Sequence, residues 1–100
     1  MLTRKDKWIR GLKDRDLRPY LVILEKIHKD FAKEREDFWF ELFSGMGLLN
    51  TMRPDRTHWR KYKKYDYVYI YALVDPETKC IKYIGRSVHP KRRFNVHMYI

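Results

Sequence analysis

The chain has 100 residues and a formal net charge of +10, from 23 Lys and Arg against 13 Asp and Glu. This length suits one compact domain. The charge favours a protein that binds a polyanion such as nucleic acid over one whose basic surface has no such partner. A membrane partner is disfavoured, because there is no apolar run of spanning length and residues 1–8 show no secretory pattern. Cys80 is the only cysteine, which excludes an intrachain disulfide and a cysteine-based zinc cluster. We therefore expect an intracellular, cytoplasmic protein.

The first quarter of the chain predicts a helix and then a strand. Apolar residues recur at helical spacing in Trp8, Ile9 and Leu12. They indicate a helix over residues 3–16, with Thr3 as its N-cap. Pro19 ends this pattern, because a proline disfavours a helical residue before it. Residues 20–27 are rich in branched side chains and predict a buried strand.

The helix predicted over residues 30–43 carries a carboxylate on its apolar side. At 100° per residue, Glu36 lies between Phe43 and Phe40 rather than among the other acidic residues. A carboxylate that points towards a core must be paired, protonated or bound to a metal ion. Arg35 lies near the edge of the same arc, so an internal ion pair with Arg35 is the structural alternative.

Residues 53–64 predict an exposed basic linker without clear periodicity. The segment has six basic residues and one acidic residue. Arg60 and Lys61 could contact backbone phosphates, while Trp59 and Tyr62 could stack on bases.

Residues 67–87 predict two strands joined by a turn at residues 75–79. The first strand alternates aromatic with aliphatic side chains, so its two faces differ. A three-residue loop centred on Glu77 would put Tyr71 and Tyr83 opposite each other on one face. A loop of two or four residues would put them on opposite faces. The tyrosines could also be ordinary strand packing.

The last helix begins at Pro90 and presents Arg93 and His97 one turn apart. Gly85, before it, permits a close approach to the backbone. Tyrosines, a guanidinium and an imidazole on one small surface suit an enzyme that acts on a phosphodiester. These residues lack a carboxylate for a metal ion, which Glu36 could supply.

Tyr69-Ile70-Tyr71 and Tyr83-Ile84-Gly85 lie on the two predicted strands, and Arg93 and His97 follow them. This set resembles the GIY-YIG nuclease family, with a tyrosine in place of the first glycine. The family's domain is a small three-stranded antiparallel sheet flanked by helices.

The same family has a metal-binding glutamate in a short helical motif. The motif reads Glu-Arg-Glu, then a polar residue, then Phe-Trp. Residues 34–39, Glu-Arg-Glu-Asp-Phe-Trp, match this pattern. By this resemblance Glu36 is the metal ligand, and Asn50 matches a downstream asparagine with a structural role.

The matched segments occur in reversed order, which the resemblance implies is a circular permutation. The family's second half corresponds to residues 1–52 and its first half to residues 65–100, with residues 53–64 as the joining linker. The expectation is a single α+β domain over residues 1–100, in the order α-β-α-linker-β-β-α.

The resemblance implies hydrolysis of DNA phosphodiester bonds with Mg²⁺ or Mn²⁺. Tyr71 would activate the attacking water, Glu36 would hold the cation and Arg93 would bind phosphate oxygens. Tyr83 and His97 would position the water or relay its proton. Further substrate-binding candidates are Arg86, Lys91, Arg92, Arg60 and Lys61. Nearly every residue belongs to the nuclease fold, so we expect low sequence specificity, or targeting through a homodimer or a partner protein.

Two other classes of function remain open from the sequence. One is a non-catalytic nucleic-acid-binding module with the same fold, and the other is a structural or partner-binding domain whose charge is incidental. RNA is an alternative substrate to DNA.

Overall fold

The computed structural model describes residues 2–50 and 64–99, which form a small α+β domain with one three-stranded antiparallel sheet. Its elements are α1 (Arg4–Asp14), β1 (Tyr20–His28), α2 (Ala32–Phe43), β2 (Tyr67–Val74), β3 (Ile81–Ser87) and α3 (Pro90–His97). Short 3₁₀ turns at Lys29–Phe31 and Ser44–Met46 flank α2. The predicted class and the three-stranded sheet with flanking helices are confirmed. Of the predicted linker, only Lys64 lies within the described residues.

The sheet has the order β1-β2-β3, so β2 is its central strand and β1 lies at an edge. The strand predicted at residues 20–27 is confirmed as β1, but the prediction that it is buried is wrong, because Tyr20, Val22 and Ile23 are 40–50% exposed. Branched and aromatic residues favour strands at edges as well as in the core, so composition alone did not distinguish the two. The ladder to β2 is interrupted by a register shift between Ile23 and Glu25.

Helices cover both faces of the central strand. The buried residues of one cluster, which joins the sheet to α1 and α3, are Ile9, Tyr71, Leu73 and Met98. The buried residues of the other cluster, which faces α2, are Leu48, Ile70 and Ile84. Alternate residues of β2 therefore enter different clusters, as the predicted two-faced strand requires.

The ends of the helices follow local sequence signals. The Thr3 hydroxyl accepts a hydrogen bond from the Asp6 backbone N–H, and the Asp6 carboxylate accepts one from the Thr3 N–H. This reciprocal capping box confirms Thr3 as the N-cap of α1. Gly47 has a φ of +82° just after α2 and its 3₁₀ turn, and Pro90 occupies the first turn of α3.

The last helix contacts the first. The ammonium of Lys13 in α1 donates a hydrogen bond of 2.8 Å to the carbonyl oxygen of Met98, directly after α3. Pairing of β1 with β2 also joins residues 1–52 to residues 65–100 through one sheet. The chemistry-bearing residues of both segments thus share a single domain.

Candidate active site

The hairpin of β2 and β3 brings Tyr71 and Tyr83 to one face of the sheet. Tyr71 pairs with Gly85, and Leu73 pairs with Tyr83. The prediction that Tyr71 and Tyr83 lie directly opposite each other is therefore wrong, because the strand register differs by two residues from the one expected for a loop centred on Glu77. An even shift keeps both tyrosines on one face, where their ring centroids are 6.4 Å apart.

Gly85 provides the space in which the Tyr71 ring lies. A Cβ at position 85 would be 2.6 Å from the hydroxyl oxygen of Tyr71 and 2.7 Å from its Cζ. Carbon atoms in contact are normally separated by about 3.5 Å or more. The close approach expected at Gly85 is therefore an approach of an aromatic ring to the strand backbone.

His97 of α3 contacts both tyrosines. Its Nε2 lies 2.9 Å from the hydroxyl oxygen of Tyr71, and its ring centroid lies 5.4 Å from that of Tyr83. Burial, together with the charges of Lys5 and Arg93, lowers the pKa of His97 to about 3. The imidazole is therefore neutral near pH 7.

Lys5 of α1 completes this cluster, although the sequence prediction did not include it. Its Nζ lies 2.8 Å from Nδ1 of His97 and 5.2 Å from the ring centroid of Tyr83. The Asp6 carboxylate lies 3.4 Å from the same Nζ. Burial lowers the pKa of Lys5, while Asp6 favours its charged form.

One sequence signal could have identified Lys5. It precedes Ile9 by four residues and Leu12 by seven, which places it in line with the buried face of α1. The surrounding basic residues obscured this position, because a charge run usually marks a solvated helix face.

The phenols of Tyr71 and Tyr83 are protonated near neutral pH. Burial raises the pKa of Tyr71 well above its ordinary value, although the charge of Arg93 and a hydrogen bond from Arg93 oppose that rise. Burial also raises the pKa of Tyr83, again against the charge of Arg93. Arg93 is an exposed residue of α3, so its guanidinium can meet an anionic ligand beside the Tyr71 hydroxyl.

Glu36 of α2 is buried, as the helical wheel predicted, and its side chain is 6% exposed. The Nε of Arg86 lies 3.3 Å from its Oε1, and Arg86 is also buried. Oε1 nevertheless has no hydrogen-bond partner among the described residues. Burial raises the pKa of Glu36 to about 7 despite the opposing charge of Arg86. The ion pair with Arg86 therefore leaves Oε1 without a hydrogen bond from the described part of the chain.

The predicted alternative for Glu36, an internal ion pair, is confirmed, but the partner is Arg86 and not Arg35. Arg35 instead donates a hydrogen bond of 2.8 Å to Oε1 of Glu25 on β1. The indole N–H of Trp39 donates a second hydrogen bond, of 3.1 Å, to the same oxygen. Arg35 thus stabilises the packing of α2 on β1 rather than the charge of Glu36.

Glu36 is electrostatically coupled to the tyrosine cluster. Its negative charge contributes to the raised pKa values of both Tyr71 and Tyr83. Its partner Arg86 directly follows Gly85, the residue beneath the Tyr71 ring. The carboxylate therefore acts on the phenols through its charge, because α2 packs on the face of the sheet opposite Tyr71.

Asn50 has the structural role that was expected of it. Its side-chain amide donates a hydrogen bond of 2.9 Å to the carbonyl oxygen of Ile84 and accepts one of 3.1 Å from the Ile84 N–H. The two bonds satisfy the backbone of β3 on the side away from β2.

The predicted substrate-binding residues have different environments. Lys91 and Arg92 are exposed on α3, close in sequence to Arg93. Arg86 is buried against Glu36 rather than presented to solvent. Arg60 and Lys61 lie outside the residues that the structure describes. Substrate binding by these residues stays a prediction.

A carboxylate such as that of Glu36 is a ligand type that a hard divalent cation can use. In residues 2–50 and 64–99 there is no group of three or more His, Cys, Asp or Glu side chains that could hold a metal ion. Magnesium commonly takes one or two protein carboxylates and keeps several water ligands. The carboxylate of Glu36 could supply one such ligand, although its Oε1 already lies 3.3 Å from Nε of Arg86.

Comparison with known proteins produced no match to a family model, a curated protein or a solved structure. In the part of the chain that the structure describes, no helix is both long and apolar enough to span a lipid bilayer.

Proposed function

We propose that this protein is a metal-dependent endonuclease that hydrolyses DNA phosphodiester bonds, built as a circularly permuted GIY-YIG domain. The observation that carries the proposal is the meeting of Tyr71, Tyr83 and His97 in one cluster, with the exposed Arg93 on the same helix as His97 and the buried carboxylate of Glu36 in the same domain. The net charge of +10 favours a polyanionic substrate.

Arg93 would bind the phosphate oxygens, since a guanidinium forms strong, directional hydrogen bonds to phosphate. The Tyr71 hydroxyl lies beside it and would accept the proton of the attacking water as the phenolate. The raised pKa of Tyr71 makes the phenolate rare in the free protein, so positive charge at the site must favour it. Tyr83 and His97 hold the Tyr71 ring in place through their packing.

Glu36 would hold the cation through its carboxylate, and Arg86 balances the charge of that carboxylate in the free protein. When bound, Mg²⁺ or Mn²⁺ neutralises phosphate charge and stabilises the leaving oxygen. A side chain with a pKa of about 7 can be ionised at neutral pH, which a metal ligand requires.

Contacts between the two segments support a permuted order. Residues 20–28 of the first segment pair with β2 of the second, and α1 contacts α3 through Lys5 and His97. The proposed glutamate half and tyrosine half thus complement each other within one chain.

Incubation of the purified chain with supercoiled plasmid and Mg²⁺ or Mn²⁺ tests this function. We expect nicked or linear DNA with either cation and none with EDTA. Salt-dependent DNA binding without cleavage under any divalent cation would favour the non-catalytic module. Binding without salt dependence would favour the structural or partner-binding domain. A parallel reaction with an RNA transcript compares the two nucleic acids as substrates.

A further inference from the structure

Lys5 is in direct contact with the imidazole at the centre of the cluster. Its Nζ lies 2.8 Å from Nδ1 of His97, while the other ring nitrogen of His97, Nε2, lies 2.9 Å from the Tyr71 hydroxyl oxygen. His97 is buried, and Asp6 and the Tyr83 ring also face Lys5. Lys5, His97 and Tyr71 form a chain of contacts from α1 through α3 to β2.

The direction of these hydrogen bonds follows from the chemistry of the ammonium group. A lysine ammonium has three donors and no acceptor, so Nδ1 of His97 must accept the hydrogen bond. A neutral imidazole that accepts at Nδ1 carries its proton on Nε2. Nε2–H therefore donates to the oxygen of Tyr71.

We propose that Lys5 is a positioning residue that holds His97 in the Nε2–H tautomer, so that His97 donates a hydrogen bond to Tyr71 instead of accepting the Tyr71 proton. The tautomer follows from the two contacts of His97 and from the ammonium form of Lys5, which the carboxylate of Asp6 favours at 3.4 Å. Its purpose rests on the proposed endonuclease function, in which Tyr71 must carry negative charge.

His97 thereby takes a different role from the one that the sequence predicted. His97 directs a donor at the Tyr71 oxygen, so the O–H proton of Tyr71 points elsewhere. A donor stabilises a phenolate more than a phenol, because hydrogen bonds to a charged acceptor are stronger. The charge of Arg93 favours the phenolate as well. His97 therefore does not relay a proton from Tyr71, and instead prepares the oxygen for negative charge.

Long-range ¹H–¹⁵N NMR of the ¹⁵N-histidine-labelled chain at pH 7 measures the tautomer directly. The His97 signals are assigned by their loss in His97→Gln. We expect Nε2 of His97 to carry the proton in the unsubstituted chain. Lys5→Met should lower the ratio of Nε2–H to Nδ1–H by about tenfold or more, because a charged hydrogen bond is lost. Lys5→Arg, which again only donates, should restore the Nε2–H form.

Lys7→Met is the matched control, because Lys7 is an exposed lysine of the same helix and its loss should leave the tautomer unchanged. An Nδ1–H tautomer in the unsubstituted chain overturns the proposal even if Lys5→Met does not fold. A folded Lys5→Met that keeps the full Nε2–H population also overturns it. Plasmid cleavage is measured separately, so an inactive chain with the expected tautomer refutes the endonuclease proposal but not the role of Lys5.

Discussion

Replacement of Gly85 by alanine tests the packing of Tyr71 against β3. The added Cβ would lie 2.6 Å from the Tyr71 hydroxyl oxygen, 2.7 Å from Cζ and 3.0 Å from Cε1. The Tyr71 ring is 1% exposed and cannot move into solvent without disturbing the core. Overpacking of this kind costs about 1–3 kcal/mol. Because the hydroxyl must also move, its hydrogen bond with His97 should lengthen or break.

Urea unfolding of Gly85→Ala should therefore show a free energy of unfolding lower by about 2 kcal/mol. Cleavage should decrease as well, since the proposed base is displaced. Gly11→Ala is the matched control, because Gly11 lies in α1 with nothing within 4 Å of the position that an alanine methyl would occupy. That control should gain about 0.5–1 kcal/mol. Unchanged stability of Gly85→Ala, with an unshifted Tyr71 NMR signal, would refute the described packing.

Three other predictions concern stability, pH and DNA binding. Asn50→Ala should lower the free energy of unfolding by about 1–3 kcal/mol, because the Ile84 N–H and carbonyl lose their partner; an unchanged urea midpoint would contradict this. The pKa of Glu36 is about 7 in the folded protein and 4.5 ordinarily, so its contribution to stability is full below pH 4.5 and is lost as pH rises through 7. In metal-free urea titrations, stability relative to Glu36→Gln should therefore fall over this range, and a rise would oppose the account. The double substitution of Lys91 and Arg92 by alanine should reduce the slope of log affinity for DNA against log salt by about 2, whereas an unchanged slope would exclude both from phosphate contact.

Much of the proposed site could be predicted because it depends on local periodicity. The inward position of Glu36 follows from the 100° rotation per residue of a helix and needs no tertiary information. The placement of Arg93 and His97 one turn apart on α3 has the same origin. The shared face of Tyr71 and Tyr83 depended on the turn, and an even shift in register preserved it.

Contacts between distant segments could not be predicted in this way. The partner of Glu36 depends on how α2 packs on the sheet. This packing places the guanidinium of Arg86 beside Glu36, whereas Arg35 hydrogen-bonds to Glu25. Lys5 contacts His97 across 92 residues of sequence, so no local pattern specifies the pair. The exposure of β1 likewise depends on how the helices cover the sheet, because the buried strand residues of both core clusters belong to β2 and β3.

The central claim is that Glu36 provides a metal ligand for phosphodiester hydrolysis. Its most direct test is the rate of plasmid cleavage in Mg²⁺ by Glu36→Gln and by Glu34→Gln, which alters an exposed glutamate in the first turn of the same helix. Circular dichroism and DNA affinity are measured on both, because the Glu36 change removes the buried ion pair between Glu36 and Arg86. We predict that folded Glu36→Gln binds DNA but cleaves it about a hundredfold more slowly or worse, while Glu34→Gln cleaves normally. Equal cleavage rates in the two variants would contradict the claim.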